Sequence, residues 1–376
     1  MLKKTFLALI IIIGLNFLRG NSRIHYIEAG QHRNRDDHRI LSDGINTTPQ
    51  FKFPADHGPH NNFRTEWWYF TGNLSAPDGR KFGYEFTVFR NASTFNSIKR
   101  KSDFEKDQVY MAHFAVSDIK NQKFYYKEKI ASGESDDAGV SSEPFKIKVI
   151  DWTVDGNYPD KNYYRPNFQI NASTQNYSIS LILQSDKPLV LQGDNGISRK
   201  GTGKDEYSNY YSITRLTTGG TITIGKTQYK VTGSSWFDRE WTNSTVTRND
   251  IGWDWFALQL KNDTEIMYYN IRHRAGVANL YDYGVIIDNR GKTEKLSSRD
   301  VKLAVTGYWR NQLSKLYPSG WILSIPKKNI SLKIEPLMKD QELKLFVNYW
   351  EGAVSVKGQI RNKEINGKGY VELTGY

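Results

Sequence analysis

Trp67-Trp-Tyr-Phe-Thr-Gly-Asn-Leu74 and Trp253-Asp-Trp-Phe-Ala-Leu-Gln-Leu260 read as two copies of one aromatic strand, 186 positions apart. The first runs through the turn Ser75-Ala-Pro-Asp-Gly79 into Lys81–Phe89, a hairpin signature. Each copy is followed by a second aromatic strand that ends in Arg: Tyr84–Arg90 in one, Ile266–Arg272 in the other. Equivalent first hairpins imply two β-barrels related by duplication. The polar stretch Thr242-Asn-Ser-Thr-Val-Thr-Arg-Asn-Asp250 marks the boundary, which gives domains of 51–241 and 242–376.

Short alternating strands fill the space between the copies. Tyr110–Asp118, Phe124–Lys129, Phe145–Asp151, Asn167–Ala172, Tyr177–Gln184, Tyr210–Leu216, Thr221–Ile224 and Gln228–Ser234 follow at similar spacing. Helical periodicity is scarce; Arg310–Leu316 has room for one or two turns. The fold class expected is all-β, two antiparallel barrels packed side by side. Barrels of this size hide their strand edges and hold one ligand inside.

Composition agrees and excludes several chemistries. The 376 residues include 10 Trp and 23 Tyr, an aromatic content that suits half-buried strands. There is no Cys, so disulfides, thiolate metal sites and a cysteine nucleophile are ruled out. The formal charge of +12 is spread along the chain with no run of five basic residues, which argues against nucleic acid. A basic balance also fits an anionic membrane surface. Lys3 and Lys4 followed by the apolar run Thr5–Leu18 read as a signal peptide over 1–20. An uncleaved inner-membrane anchor is the alternative, because Phe17-Leu-Arg-Gly20 is a poor cleavage site. Residues 21–50 read as a polar linker, and the protein is expected in the periplasm or outside the cell.

The chemistry-bearing signal is acids set among tryptophans. Thr65-Glu66-Trp67-Trp68, Trp236-Phe-Asp238-Arg-Glu240-Trp241, Trp253-Asp254-Trp255 and Tyr349-Trp350-Glu351-Gly352 carry it. A strand's period of two puts Trp236, Asp238 and Glu240 on one face, with Phe237, Arg239 and Trp241 on the other. Trp253 and Trp255 share a face; if they pack between domains, Asp254 enters a lumen. Arg64 and Glu66 are same-face neighbours with the right charges to pair. Burial beside Trp raises a carboxyl pKa and lets the group hold a proton near neutral pH. The competing reading is that these acids bond Arg or backbone amides where the barrels meet. His57 and His60 flank Gly58-Pro59, which excludes a helical two-ligand pair, and no metal site is expected. His57 is instead suited to orienting a loop over a barrel mouth. No nucleophile elbow or phosphate loop occurs.

Further motifs carry a resemblance. Phe53-Pro-Ala-Asp-His-Gly-Pro-His60, Phe63-Arg-Thr-Glu-Trp-Trp-Tyr69, Leu191-Gln-Gly-Asp-Asn-Gly-Ile-Ser-Arg-Lys-Gly201 and Tyr210-Tyr-Ser-Ile-Thr-Arg215 are among them. Trp236–Trp241, Gly252–Phe256, Tyr349–Val354 and Gly369–Tyr376 continue it. Together, in order over about 51–376, they resemble the AttH-like family, related to carotenoid 1,2-hydratase (hydroxyneurosporene synthase). Its bacterial members are often called predicted secreted hydrolases. The resemblance implies two lipocalin-like barrels and a reaction that needs no cofactor. In the hydratase branch the proposed acid is an aspartate that follows a Tyr. The comparable strand here, Met267-Tyr-Tyr-Asn-Ile-Arg272, has none.

The expected function is therefore an exported AttH/carotenoid-hydratase-like protein with an isoprenoid- or lipid-like ligand in a barrel cavity. Acid-assisted hydration, isomerisation or hydrolysis would use Asp238, Glu240 or Asp254. Trp67, Trp68, Trp236, Trp241, Trp253, Trp255, Tyr268 and Trp350 would shape the ligand site. Arg64, Glu66, Arg239, His57 and Glu351 would set its polar contacts. The alternative is a non-catalytic periplasmic carrier or an accessory to an export system, working at a membrane surface or with an export partner.

Overall fold

The computed structural model describes residues 50–92, 108–244, 250–273 and 280–376. The expected leader, the linker up to residue 49 and the centre of the boundary stretch lie outside them. Among the described residues no helix is long and apolar enough to cross a membrane.

Two antiparallel sheets of thirteen and ten strands account for the chain, with one two-stranded ribbon beside them. In the first sheet, Thr65–Ser75 pairs on one side with Lys81–Ala92, which leads on to Gln108–Asp118 and Lys123–Ser132. On its other side lies the sheet's last strand, Thr227–Thr242, then Tyr207–Ile224 and a meander back through Tyr177–Ser185 to Ala138–Ser142. The second sheet repeats this wiring. Asp250–Leu260 lies between its hairpin partner Glu265–His273 and the sheet's last strand, Lys363–Thr374. The two Trp-containing strands thus occupy the same place in two lipocalin-like barrels, as the repeat requires.

Alternation builds three apolar layers. Trp68, Phe70 and Leu74 point into the first barrel, where Phe70 lies 4.5 Å from Phe237 and 5.2 Å from Phe168. Rings fill this lumen as a core. Phe256, Trp321, Trp350 and Val354 form the second barrel's core. Tyr69, Trp236, Trp255, Met267 and Tyr370 form a third layer, where the outer faces of the two barrels meet.

Gly83 sits in that contact. A Cβ there would lie 2.7 Å from the Ala353 Cβ on the facing sheet, closer than carbon atoms approach. Gly83→Val is expected to push the sheets apart and lower stability by about 1–3 kcal/mol in urea unfolding. A Val variant as stable as the parent would mean the sheets slide freely.

One expected element is different. Arg310–Leu316 forms no helical turn; it is the bend of a ribbon pairing Tyr308–Arg310 with Leu316–Pro318. Asn311 Oδ1 accepts the amides of Leu313 and Lys315, each at 2.9 Å. That local side-chain bonding replaces the backbone bonds of a helix.

Candidate functional site

The sequence-derived residues settle in three places. The first is a buried charge cluster closing one end of the first barrel. Glu66, fully buried, accepts from Arg90 Nε and Arg239 Nη2, and the His60 amide donates to both its oxygens at 3.0 Å. Arg239 lies 3.9 Å over the Trp68 ring, and His60 stacks on Trp241 at 3.8 Å. Burial would raise the Glu66 pKa, but the two guanidiniums and His60 outweigh it and hold it at about 2. His57 bonds the Tyr211 hydroxyl and the Tyr163 carbonyl, and burial lowers its pKa to about 4. The Phe53–His60 segment is therefore a plug whose backbone is hydrogen-bonded to this ion-paired cluster, through the His60 amide and the Gly58 and His60 carbonyls. Glu66 pairs with Arg90 and Arg239, and the expected Arg64 pairing is not formed; the Arg64 amide instead donates to Asn243 Oδ1 at 2.9 Å.

The second place is the seam between the barrels. Asp238 accepts from Tyr210 Oη at 2.9 Å, Ser212 Oγ at 2.5 Å and Trp236 Nε1 at 2.8 Å. Among the described residues no cation pairs with it, and burial pushes its pKa up to about 7 despite these donors. Glu240 lies 3.2 Å from Lys200 Nζ, which also sits 4.2 Å over the Tyr269 ring. Trp255 donates to Tyr210 Oη at 3.2 Å and packs edge-on against Tyr69 and Trp236. Across the seam, Tyr69 Oη donates to Glu351 Oε2 at 2.9 Å. Glu351 stands directly opposite Glu372 on the neighbouring strand. Glu85, fully buried, has no well-formed hydrogen bond, although the Thr87 hydroxyl gives it weak support. Burial raises Glu85 to about 8 and Glu372 to about 7, and lifts Glu351 well above the carboxylate range.

The third place is a cavity of about 410 Å³ in the mouth of the second barrel. Tyr268, Val301, Leu303, Val305, Tyr308 and Pro318 give it apolar walls. Its polar end holds Asp254, Asn270, Arg272, Asp282 and Tyr376. Asp254 accepts from Arg272 Nε at 3.0 Å and Tyr376 Oη at 2.8 Å, while Arg272 stacks 3.7 Å over the Tyr376 ring. Burial raises the Asp254 pKa against those two partners. Asp282 accepts from Asn270 Nδ2 at 2.6 Å and the Ile271 amide at 2.8 Å, and burial pushes it up to about 6.

Parity on the strands explains this division. Trp253 and Trp255 pack in the seam, so Asp254 does enter the second lumen, away from Asp238 and Glu240. Trp67, Trp236 and Glu351 belong to the seam; Tyr268 lines the cavity. Trp68, Trp241, Arg239 and His57 belong to the plugged end, and Trp350 to the second core, where its Nε1 bonds the Lys339 carbonyl. Sequence reasoning passed over Glu85 and Glu372, although each sits two residues from a Tyr or beside one (Tyr84-Glu85-Phe86; Tyr370-Val-Glu372), the same acid-among-aromatics signal. Asp282 carries the same signal in Tyr281-Asp-Tyr283 and was likewise passed over, whereas Arg272 reaches Asp254 through the register of the neighbouring strands, in which Asp254 faces Asn270.

Comparison with known proteins follows the same lines. The family whose model matches is described as AttH-like, over residues 45–376. The crystal structure of a protein assigned to AttH from Nitrosomonas europaea is 32% identical, covers 87% of this chain and 98% of its own, and superposes with a TM-score of 0.76. Kievitone hydratase from Nectria haematococca is 15% identical, with coverage of 88% and 95% and a TM-score of 0.66, a likeness of fold. In sequence, the kievitone hydratase of Fusarium solani subsp. phaseoli is 22% identical over 142 residues, 37% of this chain. That match spans 40% of the relative's length.

Proposed function

This chain belongs to the AttH-like family, and on that basis we propose that it binds a hydrophobic, isoprenoid- or lipid-like molecule in the second barrel and adds water to it. One observation carries the reading: an apolar cavity ends on two carboxyl groups, Asp254 and Asp282, whose pKa values burial raises. A hydratase, the activity named for two relatives, needs an acid near such a cavity.

Asp282, at about 6, is protonated often enough near neutrality to act as that acid. Its O–H bond breaks as the proton forms a C–H bond at one alkene carbon. The cation left on the neighbouring carbon is shielded by the aromatic side chains Tyr268 and Tyr308 of the lining. Water adds to it, forming the C–O bond, and the surplus proton returns to a carboxylate. Asp254, held by Arg272 and Tyr376, is placed to orient that water. Atoms balance without a cofactor. The other sequence candidates, Asp238 and Glu240, lie outside this cavity and are proposed as seam residues.

A carrier is the second reading, and Asp254 favours it: both its oxygens are taken by fixed partners. One experiment separates the two. Purified protein is incubated with acyclic isoprenoid alcohols, water gain is followed by mass spectrometry, and binding by quenching of intrinsic fluorescence. Asp282→Asn is expected to lose about a hundredfold or more in turnover with affinity unchanged. Turnover should also fall as pH rises through about 6, where Asp282 loses its proton. Binding without turnover in the parent protein would establish the carrier. No binding to any member of the panel would overturn both.

A further inference from the structure

Residues 301–334 contain six Lys or Arg and no Asp or Glu. They form the strand Lys302–Val305, the ribbon Tyr308–Pro318 and the strands behind them, and supply most of the apolar rim of the cavity. While Trp321, Leu323 and Leu332 behind it are buried, the ribbon turns apolar side chains outward. Leu313 at the ribbon's bend is 71% exposed, Tyr308 58% and Leu316 43%, with Val305 also exposed beside them. Elsewhere in the described chain the exposed large apolar side chains are well separated along the sequence. Isolated ones need no explanation; a cluster at the tip of a projecting ribbon does.

Charge accompanies the cluster. Arg310 pairs with Leu316 in the ribbon register, and Lys315 adjoins it. Lys302 lies on the strand that leads into the ribbon. None of these three cations is ion-paired among the described residues, whereas Lys327, Lys328 and Lys333 all are, to Asp300, Glu294 and Glu335. Unpaired cations around exposed Leu and Tyr match a bilayer interface, where apolar groups enter the acyl boundary and Lys or Arg meet anionic headgroups.

We propose that the ribbon Tyr308–Pro318 docks this protein on an anionic lipid bilayer, with Leu313 and Leu316 inserted and Lys302, Arg310 and Lys315 on the headgroups. Tyr308 and Pro318 belong both to the ribbon and to the cavity lining. Docking therefore turns the cavity's rim toward the membrane, from which a lipid-like molecule can enter without crossing water. The inference takes from the proposed function only the position of that rim. Docking can hold whether or not Asp282 has any catalytic role.

The test is co-sedimentation of the full chain with vesicles of phosphatidylcholine alone or with about one-fifth phosphatidylglycerol, at low and high salt. The expected result is binding to the anionic vesicles that weakens as salt rises. Leu313→Gln with Leu316→Gln should reduce it by about tenfold or more, and both side chains are exposed, so folding should be unaffected. Arg310→Gln with Lys315→Gln should reduce it by roughly fivefold per cation and flatten the salt dependence. Lys327→Gln with Lys328→Gln, removing cations already paired, should change it little. Failure of the parent to sediment with anionic vesicles overturns the proposal. So does equal binding by the leucine variant, or self-association in sedimentation velocity that the leucine variant abolishes, which would make the ribbon a contact between copies. Vesicle binding by Asp282→Asn equal to the parent's is expected, and separates this result from the fate of the hydration chemistry.

Discussion

Glu66→Gln should cost about 3–5 kcal/mol of stability, the largest loss we expect from any one substitution in the plugged end of the first barrel. Gln keeps the shape and removes the charge, leaving Arg90 and Arg239 as two guanidiniums with no exposed surface and no counter-ion between them. Their remaining bonds go to neutral oxygens: Gln108 Oε1 and the carbonyls of His60 and Phe63 for Arg90, and chiefly that of Gly58 for Arg239. Neutral acceptors cannot replace the lost charge at this depth. Urea unfolding followed by tryptophan fluorescence reads the effect, with Arg64→Gln as a control expected to stay within about 0.5 kcal/mol. A loss below about 1 kcal/mol for Glu66→Gln would mean the cluster is more hydrated than its burial indicates. Because Glu66 sits at about 2, below its ordinary value, its stabilisation is present above about pH 4.5 and disappears as pH falls toward 2.

The seam should respond to pH in the opposite direction. Glu85, raised by burial from 4.5 to about 8, binds its proton more tightly in the folded protein than in the unfolded chain. Such a group contributes its full stability below about pH 4.5 and loses it as pH rises through about 8. Glu351, lifted in the same direction, faces Glu372 beside Tyr69, Tyr349 and Tyr370; no cation is among the groups that set the Glu351 pKa, and Lys200 only partly offsets the rise at Glu372. A second negative charge here meets the first across a dry interface. Each tenfold gain in proton affinity on folding is worth about 1.4 kcal/mol. Stability is thus expected to peak near pH 5 and to decline by roughly 4 kcal/mol toward pH 8.5. Glu85→Gln mimics the protonated acid and should remove most of that decline, leaving the variant more stable than the parent at pH 8.5. Equal stability of the two at that pH would show that Glu85 reaches solvent or a cation when it ionises.

Alternation along the strands made part of this legible. The period of two correctly set Trp236, Asp238 and Glu240 on one face and Arg239 with Trp241 on the other. It also sent Asp254 away from Trp253 and Trp255, as the lumen reading required. What it left open was which acid meets a cation. Glu66 was matched with Arg64, two residues away, yet its partners come from 24 and 173 residues away. Cross-strand neighbours are chosen by register, and register depends on the whole sheet. The same limit left Asp282 unplaced: Tyr281-Asp-Tyr283 sets the acid among aromatics, but its position at the cavity, bonded to Asn270 and the Ile271 amide, belongs to the folded sheet.

Residue order alone was enough for the all-β class, the duplicated hairpin and the side of each strand on which every Trp and acid lies, because side-chain direction follows residue parity. Folding in three dimensions supplied the rest. The curvature of two sheets, pressed face to face at Gly83 and Ala353, turned one acid cluster into an ion-paired plug and a second into a seam where burial lifts carboxyl pKa values above their ordinary range. It opened a third, at Asp254 and Asp282, to a cavity. Three motifs alike in sequence acquired three different chemistries, since a carboxyl group's charge is set by the partners and water within a few ångströms of it.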